Sequence, residues 1–544
     1  MSYIDAYHDR RMDVIRVVER APDGTRQFKV YPVRPVFFVP DANGQFTSMF
    51  GDKLTKIKCK NTKDLYNKVK AIRNDNPEAR IFESDVNHVF TCLAQHYLGM
   101  EAPKPHTCFL DIETDFDPDR GHAPTEDPFS KITAITVYLQ WKSESITLAL
   151  PPKTLSVDEA RKLVAGIPNV YIYEHEADML TTFLELLEDS DILSGWNSST
   201  FDIPYLVNRI ARILGEEANS KFCLFDLMPE KREFERYGKI QFTYDLVGRV
   251  HLDYLDLYRK YTYEERSSYS LDSIGTYELK ENKIPYDGTL DQLYNHDFRK
   301  FIEYNIQDTA LLDKLDKKLK FIDTANKLAH TNTVILPTAL GSVAIIDQGI
   351  INHAHKKGLI VPNKKKNNPT DNNQAAGAYV AHPKIGIHSW IGSLDVNSLY
   401  PSAIRALNMG PETIVGQVRQ TLTDQHINNL IMNEGRSFAA AWEGMFGSIE
   451  YIEIMNESDT MLTIDWEGGG SHSLTAAEIF ELVFKSGQPW IISANGTIFT
   501  YEKESIIASI LSEWYKNRQE MQGVLTRYKD LSSGITLPTR FLEA

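Results

Sequence analysis

Short apolar runs alternate with amphipathic stretches along most of the chain, and the changing period marks out its regions. Over residues 1 to about 104, Phe28-Lys29-Val30-Tyr31-Pro32-Val33 and Pro35-Val36-Phe37-Phe38-Val39 predict strands. Asp41-Ala42-Asn43-Gly44 follows as a turn, with Asn-Gly its strongest element. From about 105 to 322 strands and helices alternate, which predicts an α/β region. Thr107-Cys108-Phe109-Leu110 leads into one strand, residues 131–138 alternate polar and apolar as a half-buried strand does, and Asp191-Ile192-Leu193-Ser194-Gly195 ends a third apolar segment. A helical pattern runs from Pro204 to Leu214. Residues 363–374 are polar without apolar periodicity and predict a linker or solvated loop, whose lysines would at most touch a nucleic-acid backbone. A second α/β region is expected after about 375, with a turn at Gly468-Gly469-Gly470 and a last helix from about Ser505 to Asp530, beyond which no finishing element is recognisable before Ala544.

Composition narrows this picture. A length of 544 residues suggests three or four domains. Apolar residues at 42%, charged at 24% and aromatic at 11% exclude a globally disordered chain. Neither a transmembrane run nor a secretory signal is visible, so no membrane partner is expected. The four cysteines (Cys59, Cys92, Cys108, Cys223) form no CxxC pair, which argues against a disulfide framework or zinc site and fits a reducing cytoplasm. A net charge of −15 argues against whole-surface DNA coating, while leaving room for a basic groove on an acidic body.

Three acidic groupings carry candidate chemistry. Asp111 and Glu113 of Asp111-Ile112-Glu113 share one face of a strand, where they repel unless a cation binds between them. Asp202 closes the string Asn197-Ser198-Ser199-Thr200-Phe201-Asp202 just before Pro204, and reads equally as a helix N-cap. Tyr304 and Asp308, four apart on a helix, share a face. Each alone is ordinary surface patterning. Their order within one α/β region resembles the DEDDy 3′–5′ exonucleases. That likeness implies an RNase H-like domain in which Asp111, Glu113, Asp202 and Asp308 bind two divalent cations and Tyr304 orients water. Paired carboxylates suit Mg²⁺ or Mn²⁺.

Ser393-Leu394-Asp395-Val396-Asn397-Ser398-Leu399-Tyr400-Pro401 resembles motif A of family B DNA polymerases. Taken as ordinary sequence, it would be a buried strand end followed by a core tyrosine. The resemblance instead implies Asp395 and the Val396 carbonyl as metal ligands, Leu399 near the triphosphate and Tyr400 beneath the incoming sugar. The strings at 251–258, 284–288 and 411–414, with Ala376-Gly377-Ala378-Tyr379-Val380, are similar to the polymerases of T4-like bacteriophages. Residues 514–522 resemble the fingers helix that grips a triphosphate, with Arg518 as its arginine and Gln522 where a lysine often stands, so that either Arg527 or Lys529 supplies a second cation or triphosphate binding is weaker.

The resemblance implies an N-terminal domain over 1–104 that resumes at about 323–367, an exonuclease domain over 105–322, a partial palm over 368–502 with an unusual insert at about 416–500, and truncated fingers over 503–544. Motif B, K-x(6)-Y-G, and motif C, D-T-D, are not found. Glu457-Ser458-Asp459-Thr460 is followed by Met461 rather than a second aspartate. The expectation is therefore the N-terminal half of a split replicative polymerase. Its second chain would carry motifs B and C and the sliding-clamp contact, and its substrates would be primer-template DNA, single-stranded DNA and deoxynucleoside triphosphates. Asn197 and Phe201 would contact the DNA strand in the nuclease. The competing expectations are a free-standing exonuclease with a vestigial polymerase part, and a non-enzymatic nucleic-acid-binding module.

Overall fold

The computed structural model describes residues 2–236, 238–364, 384–396, 398–419, 431–435, 459, 461–493 and 495–534. The resemblance strings at 376–380 and most of the polar stretch 363–374 lie outside them, as do parts of 416–500. The chain divides into two units, one of residues 1–39 and 56–352, the other of residues 40–55 and 353–544.

The first unit is built on a six-stranded mixed sheet. Thr107–Thr114 lies at its centre. On one side Ile132–Leu139 and Glu144–Ala149 continue antiparallel, with Val170–Ile172 parallel at the edge. On the other side Ile192–Gly195 and then Val250–Asp253 run parallel to it. Helices cover both faces, and their apolar sides form two cores. One sets Leu110, Ile112, Ile135 and Val137 against Phe183, Leu206 and Ile210. The other sets Phe109, Ile192 and Leu252 against Tyr258, Leu311 and Leu315. Gly195 is required where the chain leaves its strand: a Cβ there would lie 2.9 Å from both the Leu110 carbonyl oxygen and the Ser198 Cβ.

The N-terminal strands Ser2–Asp9, Val14–Arg20 and Arg26–Pro32 form an antiparallel sheet that belongs to the same unit. Arg20 donates to both Asp191 oxygens at 2.8 and 2.5 Å, and Arg26 adds a bond to Asp191 at 3.1 Å. The Tyr3 hydroxyl donates to the Val334 carbonyl at 2.8 Å, and His330 stacks on the Tyr3 ring. These bonds, most of them buried, tie residues near the start of the chain to the six-stranded sheet and to the segment around 330.

Within the second unit, Ile414–Arg419, Met461–Trp466, Ser471–Thr475, Trp490–Ile492 and Thr497–Thr500 form a five-stranded antiparallel sheet packed on Ile479 and Val483. The long helix Ile506–Gly534 is fixed at its start, where the buried Glu412 accepts from the Ile506 amide at 2.6 Å and Asn408 accepts from the Ser505 amide at 2.8 Å. All four cysteines are free and buried. Among the described residues no helix is long and apolar enough to cross a membrane.

Candidate active site

Three elements bring the nuclease candidates together. Asp111 and Glu113 project from the central strand Thr107–Thr114, opposite Thr136 and Ala134 of the neighbouring strand. Tyr304 and Asp308 lie on the helix Phe298–Leu319, whose inward face carries Phe301, Ile302, Asn305, Thr309 and Leu312 at the spacing of an amphipathic helix. Ligand oxygens of Asp111, Glu113 and Asp308 lie within 4.8 Å of one another.

Asp202 arrives differently. It is the first residue of the helix Asp202–Leu214, and Phe201 holds the cap position without a side-chain bond, so Asp202 is not an N-cap. Its Oδ1 accepts instead from the Ile112 amide at 3.3 Å, between the two strand carboxylates. Its charge acts on both Asp111 and Glu113. Phe201 packs on the first core and on the Tyr205 ring. Asn197 sits in the turn before Asp202 with left-handed backbone, φ 62°.

Two residues of the cluster are absent from the motif reading. Asn305 donates to Asp111 Oδ2 at 2.6 Å, its amide oriented by Thr136, which donates to Asn305 Oδ1 at 2.5 Å. Lys283 donates to the Tyr304 hydroxyl at 3.0 Å and also bonds Asp308. Asn305 stands inside the string that supplied Tyr304 and Asp308, and Lys283 immediately precedes the 284–288 string. Position next to those strings is the only sequence signal for either residue.

Burial raises all four carboxyl groups, and the charges of the cluster add to it at Asp111 and Glu113. Burial is the main cause for Asp111, followed by the charges of Asp308, Glu113 and Asp202. Glu113 is pushed up to about 8 by burial and then Asp308, and Asp202 to about 7 by burial. Asp308 is also raised by burial, against the opposing pull of Lys283. Burial disfavours the Lys283 ammonium, but Asp308 and Tyr304 outweigh it and raise its pKa. One lysine thus faces four carboxyl groups, and the repulsion left over is what a divalent cation would relieve.

The motif A residues are placed otherwise than expected. Residues 391–396 belong to no strand, and Leu394 is 100% exposed. Asp395 is exposed as well, and Tyr400 is 65% exposed on the helix Leu399–Ala406. The plain reading of a buried strand end and core tyrosine is therefore corrected: among the described residues no strand pairs with this segment, and its apolar side chains are exposed. Val396 and Leu399 are exposed too. The helix does meet the fingers-like helix: Arg405 donates to Ser512 at 3.1 Å and lies over the Tyr515 ring, and Arg518 reaches Ser398 at 3.5 Å. Arg518 therefore stands beside the motif A segment.

Comparison with known proteins fits this division. The family described as DNA polymerase family B, exonuclease domain, matches residues 55–274, and that described as DNA polymerase family B matches residues 339–537. The chain belongs to DNA polymerase family B. This family B chain is 33% identical over 253 residues to the DNA-directed DNA polymerase of Enterobacteria phage T4, which covers 45% of the chain and 27% of that relative. It is 30% identical over 275 residues to the DNA-directed DNA polymerase of Escherichia phage RB69, covering 50% and 30%. It is 28% identical over 277 residues to the DNA polymerase delta catalytic subunit of Arabidopsis thaliana, covering 46% and 24%. The matched stretches thus span a third or less of each of these relatives.

The donor set of the acidic cluster, of which Asp111 and Glu113 fall within the matched exonuclease stretch, fits a hard divalent cation. The ligands are carboxylate oxygens. Asp308 Oδ1 is buried without a hydrogen-bond partner, on the side chain that shares the 4.8 Å cluster with Asp111 and Glu113. An orphaned buried carboxylate oxygen among like charges is what a cation ligand looks like before its ion is considered.

Proposed function

We propose that this chain removes nucleotides from the 3′ end of DNA as a proofreading exonuclease, and that it forms the N-terminal part of a replicative DNA polymerase. The convergence of Asp111, Glu113 and Asp308 on one point carries this reading. Asp111, Glu113, Asp202 and Asp308 would hold two Mg²⁺ or Mn²⁺ ions, which supply Lewis-acid stabilisation of the attacking and leaving oxygens when bound. The chain's own residues do the rest. Asn305 fixes the Asp111 carboxylate, Lys283 bonds Asp308 and opposes the rise that burial imposes on it, and Tyr304, its hydroxyl held by Lys283, positions the attacking water. Asn197 and Phe201 would contact the DNA strand end.

Templated synthesis is a separate capacity. These residues offer Asp395 but no D-T-D string, and one aspartate does not hold two ions for nucleotidyl transfer. The exposure of residues 394–396 supports the view that further polypeptide completes the palm. That polypeptide is proposed to be a second chain with motifs B and C and the clamp contact. Primer-template DNA and deoxynucleoside triphosphates would bind the joined assembly, in the cytoplasm of a bacterial host.

The test is degradation of 3′- and 5′-labelled single-stranded DNA by the purified chain with Mg²⁺ or Mn²⁺. Release of 5′-mononucleotides from the 3′ end, lost in Asp111→Ala with Glu113→Ala, is expected. Unchanged degradation by the double variant would remove the assignment.

A further inference from the structure

The turn that delivers Asp202 has few bonds of its own. The Asn197 carbonyl accepts from the Thr200 amide at 3.2 Å and hydroxyl at 3.1 Å, and the Ser198 carbonyl accepts from the Ile203 amide at 3.0 Å. The remaining anchors come from one neighbouring strand, Val250–Asp253, in which Asp253 stands opposite Gly195. Asp253 Oδ1 accepts from the Asn197 amide at 3.0 Å and from the Leu255 amide at 2.9 Å, and Oδ2 accepts from the Ser199 amide at 3.0 Å. Two residues earlier on the same strand face, His251 Nε2 pairs with the Ser198 hydroxyl at 2.9 Å. Asn197, Ser198 and Ser199 are therefore each tied, one after another, to a single strand.

Capping alone does not account for this. As N-cap of the helix Tyr254–Tyr261, Asp253 needs only its bond to Leu255. The two further amide bonds lie outside that helix, on the turn that begins with left-handed Asn197. A non-glycine residue held in that region needs surroundings that over-determine it. Asp253 is 2% exposed and spends both oxygens on backbone amides, so it is not placed as a cation ligand or a DNA contact.

We infer that Asp253, assisted by His251, is a positioning residue of the nuclease centre, clamping the turn Asn197–Ser199 so that Asp202 is already in place between Asp111 and Glu113 before a cation arrives. The inference rests on the reading of Asp202 as a cation ligand. Its physical basis is preorganisation: a carboxylate ordered in advance loses less freedom on binding, and outer partners of ligands commonly change metal affinity or activity ~10–100-fold when altered.

The experiment reads Mn²⁺ binding to the full chain by isothermal titration calorimetry, beside thermal melting. Asp253→Asn keeps the size but replaces one accepting oxygen with an NH₂ group that cannot accept an amide N–H. Its Mn²⁺ affinity should fall ~10–100-fold while melting stays cooperative. Combined with Asp202→Asn, it should add little beyond the loss caused by Asp202→Asn alone, because both act through one ligand. Unchanged Mn²⁺ affinity, or a lowered melting temperature with Mn²⁺ affinity intact, would make Asp253 a structural cap and overturn the inference. If Asp253→Asn does not fold, Ser198→Ala removes only the His251 tether and should still weaken Mn²⁺ binding; wild-type affinity in that variant overturns the inference. A wild-type chain that binds Mn²⁺ but degrades no DNA would defeat the nuclease reading and leave this one standing, whereas a chain that binds no Mn²⁺ defeats both.

Discussion

Lys283 and Tyr304 are joined ammonium to phenol at 3.0 Å, and the same ammonium bonds Asp308. The lysine also opposes the raised pKa of Asp111, Glu113, Asp202 and Asp308 alike. Removing it therefore acts on the whole cluster. In Lys283→Met all four carboxyl groups should titrate at higher pH, moving the acid limb of the exonuclease rate profile upward by ~1–3 units. A limb at its wild-type position would show that Lys283 does not set the charge of the site.

Tyr304→Phe keeps the ring, which meets Tyr286 edge to face at 5.3 Å, and removes only the hydroxyl. The expected effect is ~10²-fold on the single-turnover hydrolysis rate with little change in DNA affinity, since the hydroxyl is assigned to the water and not to the strand. A loss confined to DNA binding would place Tyr304 against the substrate instead.

The raised carboxyl groups also set a stability trend for the metal-free chain. Glu113 moves from an ordinary 4.5 to about 8, and Asp202 from 3.8 to about 7. Between the ordinary and the folded values the native state holds more protons than the unfolded state. Stability is therefore greatest at the acid end of that window and falls as pH rises from about 4 to about 8. Mn²⁺ competes with those protons, so the rise in melting temperature on adding Mn²⁺ should be larger at pH 8 than at pH 6. Asp111→Asn should raise the metal-free melting temperature, because it relieves repulsion at a site arranged for function. Melting curves with EDTA and with Mn²⁺ across this range check both statements.

Arg20 is buried and bonds both oxygens of the buried Asp191. Arg20→Ala leaves that carboxylate with Arg26 as its remaining ionic partner. A loss of ~3 kcal/mol is expected, at the lower end for a broken buried pair because Arg26 remains. Urea unfolding of the chain measures it.

Asp395 lies in the other unit from the nuclease ligands. Asp395→Asn should leave exonuclease rates within ~2-fold of wild type, as surface changes away from a site do. Mixed with a polypeptide that carries motifs B and C, the wild-type chain should extend a primer and Asp395→Asn should not. Tyr400→Ala should raise the ribonucleotide share of the product. Strong primer extension by the purified chain alone would contradict the proposed division of labour.

The acidic cluster was legible because its residues fall in short strings with local consequences. Asp111 and Glu113 share a strand face, and Tyr304 and Asp308 a helix face, by period alone. Lys283 was not legible: it sits between helices in a stretch without periodicity, and its partners are 21 and 25 residues away. The attachment of the N-terminal sheet was hidden for a similar reason, since Arg20 meets Asp191 across 171 residues. The antiparallel hairpin Glu230–Arg236 with Lys239–Asp245 escaped notice because its charged residues mask the alternation. Residues 393–396 were legible only through their resemblance to motif A: the bland alternative of a buried strand end does not hold, since they are exposed and no strand pairs with them among the described residues.

Every carboxylate proposed to hold a cation in the nuclease reading lies before residue 353, where the last segment of the other unit begins. On a ribosome the chain emerges in that order. At roughly 5–20 residues per second, the stretch from there to Ala544 takes on the order of 10–40 s to make. On the proposed reading, the proofreading centre would thus be assembled on the nascent chain while the motif A segment is still being translated, and a mistake in the later stretch would leave that centre intact.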